Sequence, residues 1–407
     1  MFVLVALLGC VSVIPEFEAA KARALAAPGP TPSQWQPDGV LHMSGPAINA
    51  MVRDAIEDYG TFTARIDLTA LALVPNLQLT DMAVLPAENV DSCDDCLGVS
   101  MNLDGTLDLE TLVGTTNTTL GATGSMDVRF LVDQSEDGTW TVSVQPTRFR
   151  FLDVTVGPLT AGVGGLGETI QGWIDRNLIS TVPPQPMMSL APEDLPVSAL
   201  RIVPDEGSMQ FHLLTRATQR GAVDPDQPPP VTGWRMDLSQ RSIVALARTE
   251  AFKAEPLARG IVPVPNLFEM DSDSFTLGLR LWRTEGRGWW RDYEVEGTVK
   301  VENDEIKLAA TDVDQVGKSP GAAAADPLVA LARGLILKFI EGAFETSLPA
   351  VQGQDDLTAV IDDIQAVEGA LRTLGSLANE FQPAGPPLPP VEVDVDDVPD
   401  VEQTAER

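Results

Sequence analysis

Cys93 and Cys96, in Asp91-Ser-Cys-Asp-Asp-Cys, have the spacing that most directly suggests chemistry. Such a pair can exchange disulfides, hold a metal or staple a loop. Redox work needs a thiol pKa lowered by positive charge or a helix N-terminus. Here Asp94 and Asp95 lie between the thiols and Asp91 precedes them, which shifts the pKa the wrong way. A zinc site needs more ligands, yet the chain has three Cys and two His in all. A disulfide staple is the favoured reading, with redox or metal binding as the lesser alternative. Gly162-Val-Gly164-Gly165-Leu-Gly167 spells a dinucleotide pattern, but Pro183, Pro184 and Pro186 stand where a parallel strand should follow. Asp271-Ser-Asp273-Ser begins like a calcium loop and then lacks the glycine and the glutamate that complete one. His42 and His212 are far apart, and no Ser/His/Asp set can be assembled. The chain therefore reads as non-enzymatic, with neither a cofactor nor a metal expected.

A second cluster carries binding chemistry. Arg280-Leu-Trp282-Arg283-Thr-Glu-Gly-Arg287-Gly-Trp289-Trp290-Arg291 gathers four Arg and three of the seven Trp at a Gly-rich hairpin. Trp favours the membrane interface and Arg pairs with phosphate or carboxylate. Arg283, Arg287, Trp289 and Trp290 are thus candidates for a tip that touches membrane or lipid head groups. The competing expectation is that the Trp rings pack on the sheet with Arg stacked over them.

Composition sets the wider bounds. The 407 residues carry 27 Lys+Arg against 59 Asp+Glu, a formal net charge of −32. Nucleic acid is an unsuitable partner, because phosphate neutralisation requires basic residues. The hydrophobic fraction of 44% is that of a globular protein with sizeable cores.

The ends are expected to be extensions. Residues 1–14, MFVLVALLGCVSVI, are apolar, uncharged and too short to span a bilayer as a helix. They fit the apolar part of a secretory signal. Leu7-Leu8-Gly9-Cys10 also matches the bacterial lipoprotein pattern loosely, with Cys10 as the lipidated residue; an ordinary signal that contains a Cys is the alternative. Export to the periplasm or outer membrane of a Gram-negative-type bacterium follows as the expected location, with a Cys10 lipid as the route to a membrane surface. Residues 15–38 read as a flexible linker, and 382–407 as a disordered acidic tail.

Between them the pattern is α+β. Ser44 is a plausible N-cap for a helix over 45–59, with Ile48, Met51, Val52 and Ile56 on one face. Ser239 begins a comparable segment. Val74-Pro75-Asn76-Leu77 recurs as Val264-Pro265-Asn266-Leu267, and alternating strands follow each copy. Ile66 and Leu68, then Val128 and Phe130, then Leu277, Leu279 and Val295 lie at period-two positions of an antiparallel meander. Further helices are expected over 166–179 and 327–344, the latter apolar on nearly all sides, including Leu331, Leu335 and Phe339. Residues 351–381 show apolar positions at helical spacing and are expected to form a last amphipathic helix. The resulting division is 39–190, a central stretch 191–232, and 233–350.

This order of helix, long strands, helix and central strands, taken twice, resembles the tubular lipid-binding superfamily. That superfamily includes the bactericidal/permeability-increasing and lipopolysaccharide-binding proteins. The resemblance covers about 40–350 and rests on element order and the Val-Pro-Asn-Leu repeat. It implies two pseudo-repeated modules, each a strongly twisted antiparallel sheet wrapped on a long helix, with a central sheet between them. It implies an apolar groove lined by Ile48, Val52, Ile56, Ile66, Leu68, Val128, Phe130, Leu277, Leu279, Val295, Leu331, Leu335 and Phe339. The partner would be a lipid or another apolar ligand, bound without chemistry, with transfer as a further role. Two departures stand out: Cys93 and Cys96 are local rather than the family's paired cysteines, and the basic patch of a lipopolysaccharide binder is missing. The rival is an envelope interaction protein with filled cores and no ligand.

Overall fold

The computed structural model describes residues 12–26, 35–57, 61–63, 65–67, 71–85, 96–157, 172, 184–191, 196–205, 207–257, 259–286, 288–302, 305–319, 357–367 and 369–379. It is dominated by antiparallel sheet, with few helices.

The central sheet has six strands in the order β16-β17-β11-β1-β10-β9. These are β1 (Gly39–Ser44), β9 (Val197–Asp205), β10 (Ser208–Thr215), β11 (Trp234–Ser239), β16 (Leu357–Val367) and β17 (Ala370–Asn379). Strands β1 and β11 pair antiparallel, with Gly39 opposite Leu238 and Met43 opposite Trp234. Each leads directly into a helix. Helix α2 (Gly45–Glu57) follows β1, and the Ala47 N–H donates to Ser44 Oγ at 3.3 Å, as the N-cap reading expects. Helix α3 (Gln240–Lys253) follows β11. One face of the sheet joins the main core through Leu41, Met43, Phe211, Leu213, Trp234, Met236 and Leu238.

The first meander is a seven-stranded sheet in the order β2-β4-β5-β6-β7-β8, with β3 paired to β4. It comprises β2 (Thr61–Thr63), β3 (Ile66–Asp67), β4 (Leu71–Leu85), β5 (Cys96–Thr111), β6 (Gly114–Gln134), β7 (Trp140–Val156) and β8 (Gln185–Leu190). At 21 residues, β6 runs roughly 70 Å at about 3.3 Å per residue. The sheet is curled. Irregularities in register place an extra residue in β4, between Leu79 and Asp81, and two in β7, Leu152 opposite Thr123 and Gly124 and Thr147 opposite Asp127 and Val128. Each inserts a residue, which bends the strand and sharpens its twist.

The second meander is a four-stranded sheet, β12 (Ile261–Asp271), β13 (Ser274–Arg283), β14 (Trp289–Glu302) and β15 (Glu305–Lys318), in sequence order. The first Val-Pro-Asn-Leu copy lies in β4 and the second in β12. In both, the Leu faces a glycine of the next strand: Leu77 opposite Gly105, Leu267 opposite Gly278. A Cβ on either glycine would collide with the neighbouring asparagine, Asn76 or Asn266.

Two expectations differ from what is observed. Residues 351–381 do not form an amphipathic helix; β16 and β17 are a hairpin that extends the central sheet, with Ala370–Gly375 paired to β11. The helical spacing of Ile361 and Ile364 comes from an irregularity in register between Ile361 and Asp363. Asp362 and Asp363 are both exposed, so Ile361 and Ile364 both turn inward although three positions apart. Gly369, at φ 71°, makes the turn that a helix would not need. Residues 14–24, placed above across the signal segment and the flexible linker, form helix α1 (Ile14–Ala24). Pro15 sits in its first turn with Glu16, and Lys21 and Arg23 lie in its last, all favourable to a helix. Phe17 packs against Phe252 and Trp282, with ring centroids 5.6 Å away in both cases. The expected helices over 166–179 and 327–344 lie outside the described residues, apart from Gly172.

Candidate functional site

The inner face of the first meander is built by strict alternation. Along β5, Leu97, Val99, Met101, Leu103, Leu107 and Leu109 project to one side. Ser100, Asn102, Asp104, Asp108 and Glu110 take the other. Register carries the apolar side across the sheet: Leu97 faces Val128, Val99 faces Met126, and Leu103 faces Ala122. Met126 in turn faces Phe149, and Phe130 faces Val144. The result is an apolar face that follows the strands for most of their length. Helix α2 lies against it, with Ile48 and Met51 buried in the same cluster.

The second meander presents Phe275, Leu277, Leu279 and Leu281 from β13 with Tyr293, Val295 and Val299 from β14. They form a separate apolar cluster, completed by Val244 of α3 and by Ile364 and Leu371 of the C-terminal hairpin.

The predicted groove residues divide between these faces. Ile48, Ile66, Val128 and Phe130 belong to the first cluster, and Leu277, Leu279 and Val295 to the second. Val52 and Ile56 lie within α2. Leu68, Leu331, Leu335 and Phe339 lie outside the described residues, as do Cys10, Cys93 and Arg287. Cys96 starts β5, is buried and is disulfide-bonded.

At the Arg/Trp hairpin, Glu285 and Gly286 are exposed. Trp289 is 6% exposed within the second cluster. Trp290 is half-buried beside α1 and donates its indole N–H to Glu16 at 3.2 Å. Arg280 stacks over Trp290 at 4.0 Å, and Arg291 over Trp289 at 5.7 Å. Arg283 is half-buried. Both contacts are Arg–Trp stacking of the kind weighed in the sequence; Trp290 lies beside α1, whereas Trp289 packs in the second apolar cluster.

Sequence reasoning missed a polar layer on the opposite face of the central sheet. Arg372 grips Asp237 through Nε at 2.6 Å and Nη2 at 3.0 Å. Arg235 Nε lies 3.1 Å from the same carboxylate, while its Nη1 donates to Pro228 O at 2.6 Å. The Pro-rich stretch 224–231 thus lies over this face. His42 is fully buried beside Arg235. Burial, then the positive charges of Arg235, His212 and Arg372, push its pKa down to about 3. A neutral, enclosed imidazole of that kind is a poor proton donor near neutral pH. His212 is likewise lowered, by burial first and then by Arg201, with Asp226 opposing. Period-two placement of His42, Arg235, Asp237 and Arg372 on paired strands would have signalled the layer only once the strand order was known. Among the described residues no cluster of three or more His, Cys, Asp or Glu is suited to a metal ion.

No protein-family model and no curated protein matches the chain. Solved structures similar to it include lipopolysaccharide binding protein, at 12% identity and TM-score 0.36 over 85% of this chain and 99% of that one. P47 of Clostridium botulinum E1 is similar at 9% identity and TM-score 0.37, over 84% and 99% of the two chains. P47 from Clostridium botulinum A2 matches at 10% identity and TM-score 0.37, over 84% and 97%.

Proposed function

We propose that this protein binds a lipid-like apolar ligand against the inner faces of its two meanders, without catalysis. The supporting observation is the apolar face of β5, β6 and β7, which runs along strands several times the usual length. A sheet that only had to fill a core would not need strands of 16 to 21 residues. Each methylene removed from water contributes about 0.8 kcal/mol, so a partly covered acyl chain is enough for firm binding. The two strand–helix–meander units are read as pseudo-repeated modules, on the paired β1 and β11 and the matching Leu–Gly register. Export, attachment through Cys10 and handing on of the ligand are part of the same reading.

The competing reading is an interaction protein with filled cores. The burial of Leu97, Val99, Leu107 and Val128 in the first meander, and of Leu277, Leu279 and Val295 in the second, favours it. Solvent extraction and native mass spectrometry of the purified protein separate the two. Co-purifying acyl species, and uptake of a dansyl-undecanoic acid probe that falls in Met101→Trp, are the expected results. Clean protein that takes up no probe would overturn the ligand reading.

A further inference from the structure

A crevice of about 270 Å³ lies where α1, α3, β12 and β13 meet. It is on the face of the second meander away from Leu277 and Leu279, so it is separate from the apolar inner face. Its walls carry Arg23 of α1, Arg248 of α3 and Arg280 of β13, beside Phe252, Val264 and Trp282. Among the described residues, no acidic side chain lines it. In a chain with more than two acidic residues for each basic one, three guanidinium groups on one small crevice call for an explanation.

Arg280 is already neutralised, by Asp292 at 2.7 and 2.9 Å and by Glu16 at 3.6 Å. Arg248 is not. Its Nε and Nη2 donate to the carbonyls of Pro265 and Asn266 at 3.0 and 3.3 Å, which orient the group but carry no charge. Among the described residues, neither Arg248 nor Arg23 meets a carboxylate within 4 Å. Burial pushes the Arg248 pKa down with no opposing anion. A partly desolvated cation held in place by neutral acceptors is unfavourable unless an anion joins it. The guanidinium fork suits an oxyanion, which it can grip through two N–H groups.

We infer that this crevice is an oxyanion subsite, in which Arg248 and Arg23 hold a phosphate or carboxylate group beside the buried Phe252, Val264 and Trp282. The volume lies just below the roughly 300–1,000 Å³ of small-molecule pockets, which suits a head group rather than a whole lipid. Trp282, in the wall, supplies a fluorescence signal.

The test is titration of the full chain with dodecyl phosphate, dodecyl maltoside and inorganic phosphate, each below any micelle threshold. Dodecyl phosphate is expected to bind at least tenfold more tightly than dodecyl maltoside. Arg23→Gln, at an exposed position that leaves the fold intact, is expected to weaken it at least threefold, and Arg248→Gln at least tenfold. Saturation by inorganic phosphate with the same arginine dependence supports the subsite with a free anion as its source. Binding of dodecyl phosphate alone supports an amphiphile. Equal affinity for the phosphate and maltoside head groups, or unchanged affinity in Arg23→Gln together with Arg248→Gln, would overturn the inference. Acyl species bound at the inner faces remain in both variants, so failure here is distinct from failure of the inner-face reading.

Discussion

The Arg280 guanidinium lies 4.0 Å from the centre of the Trp290 ring while holding Asp292 through two nitrogens. Glu16 then reaches both residues from α1, accepting from the Trp290 indole and pairing with Arg280 at 3.6 Å. Polar contacts therefore ring the place where α1 docks, but the apolar contact of Phe17 is at its centre. Phe17 is 7% exposed, whereas Glu16 is exposed.

That difference ranks two substitutions. Phe17→Ala is expected to cost about 3 kcal/mol of local stability. Hydrogen exchange would then show residues 14–24 losing protection while β12–β15 keep theirs. Glu16→Gln is expected to cost about 0.5 kcal/mol, because exposed ion pairs contribute little. The reverse ranking would mean that charge, not packing, holds α1.

Asp38 ties three separate parts of the chain. It is fully buried and accepts from the Thr215 N–H at 2.7 Å, the Thr215 hydroxyl at 2.5 Å and the Ser242 hydroxyl at 2.7 Å. Asp38→Ala strands all three donors away from water. A loss of about 3 kcal/mol or more is expected in urea unfolding. A loss under about 1 kcal/mol would show that the donors find other acceptors.

His42 predicts a dependence on acid. Its folded pKa is about 3, below the ordinary 6.5, so the unfolded chain binds the proton more readily. Its contribution is fully present above pH 6.5 and is lost as pH falls towards 3, at up to about 1.4 kcal/mol per pH unit. His42→Leu removes a buried ring that has no hydrogen-bond partner among the described residues. Unfolding curves of the two proteins should coincide in slope above pH 7 and diverge below 6, with the variant the more acid-resistant. Parallel acid limbs would contradict the burial of His42.

The C-terminal hairpin gives a test of its own. Gly375 lies against the Trp234 indole and the Val360 carbonyl, where a Cβ has no room. Gly375→Val is expected to destabilise by about 1–3 kcal/mol through overpacking, although valine is the better strand former. The Trp234 environment, read by near-ultraviolet circular dichroism, should change with it. A neutral or stabilising outcome would leave β17 unpaired with β11.

Period-two patterning made most long strands legible, because each meander has one apolar and one polar face. The alternation of Leu97, Val99, Met101 and Leu103 against Ser100, Asn102 and Asp104 is visible in the chain itself. Helices α2 and α3 and their matched positions were legible from capping and spacing. The hairpin at 357–379 was not, since one inserted residue beside Ile361 turns a strand pattern into an apparent helical one. Helix α1 was hidden in an alanine-rich stretch whose apolar residues, Val13 and Phe17, have a partner only across the fold.

Strand alternation in the meanders and the sign of the charge were determined by the sequence alone, since they depend on composition and on neighbours a few positions apart. The tertiary structure alone decided the strand order of the central sheet. It brought Asp38 to Ser242 and His42 to Arg235, and it gathered Arg23, Arg248 and Arg280 around one crevice. These groups are far apart in the chain, and nothing local specifies which strands become neighbours. Burial of the apolar faces selects the pairing, and the polar groups on the reverse faces are carried into contact with it.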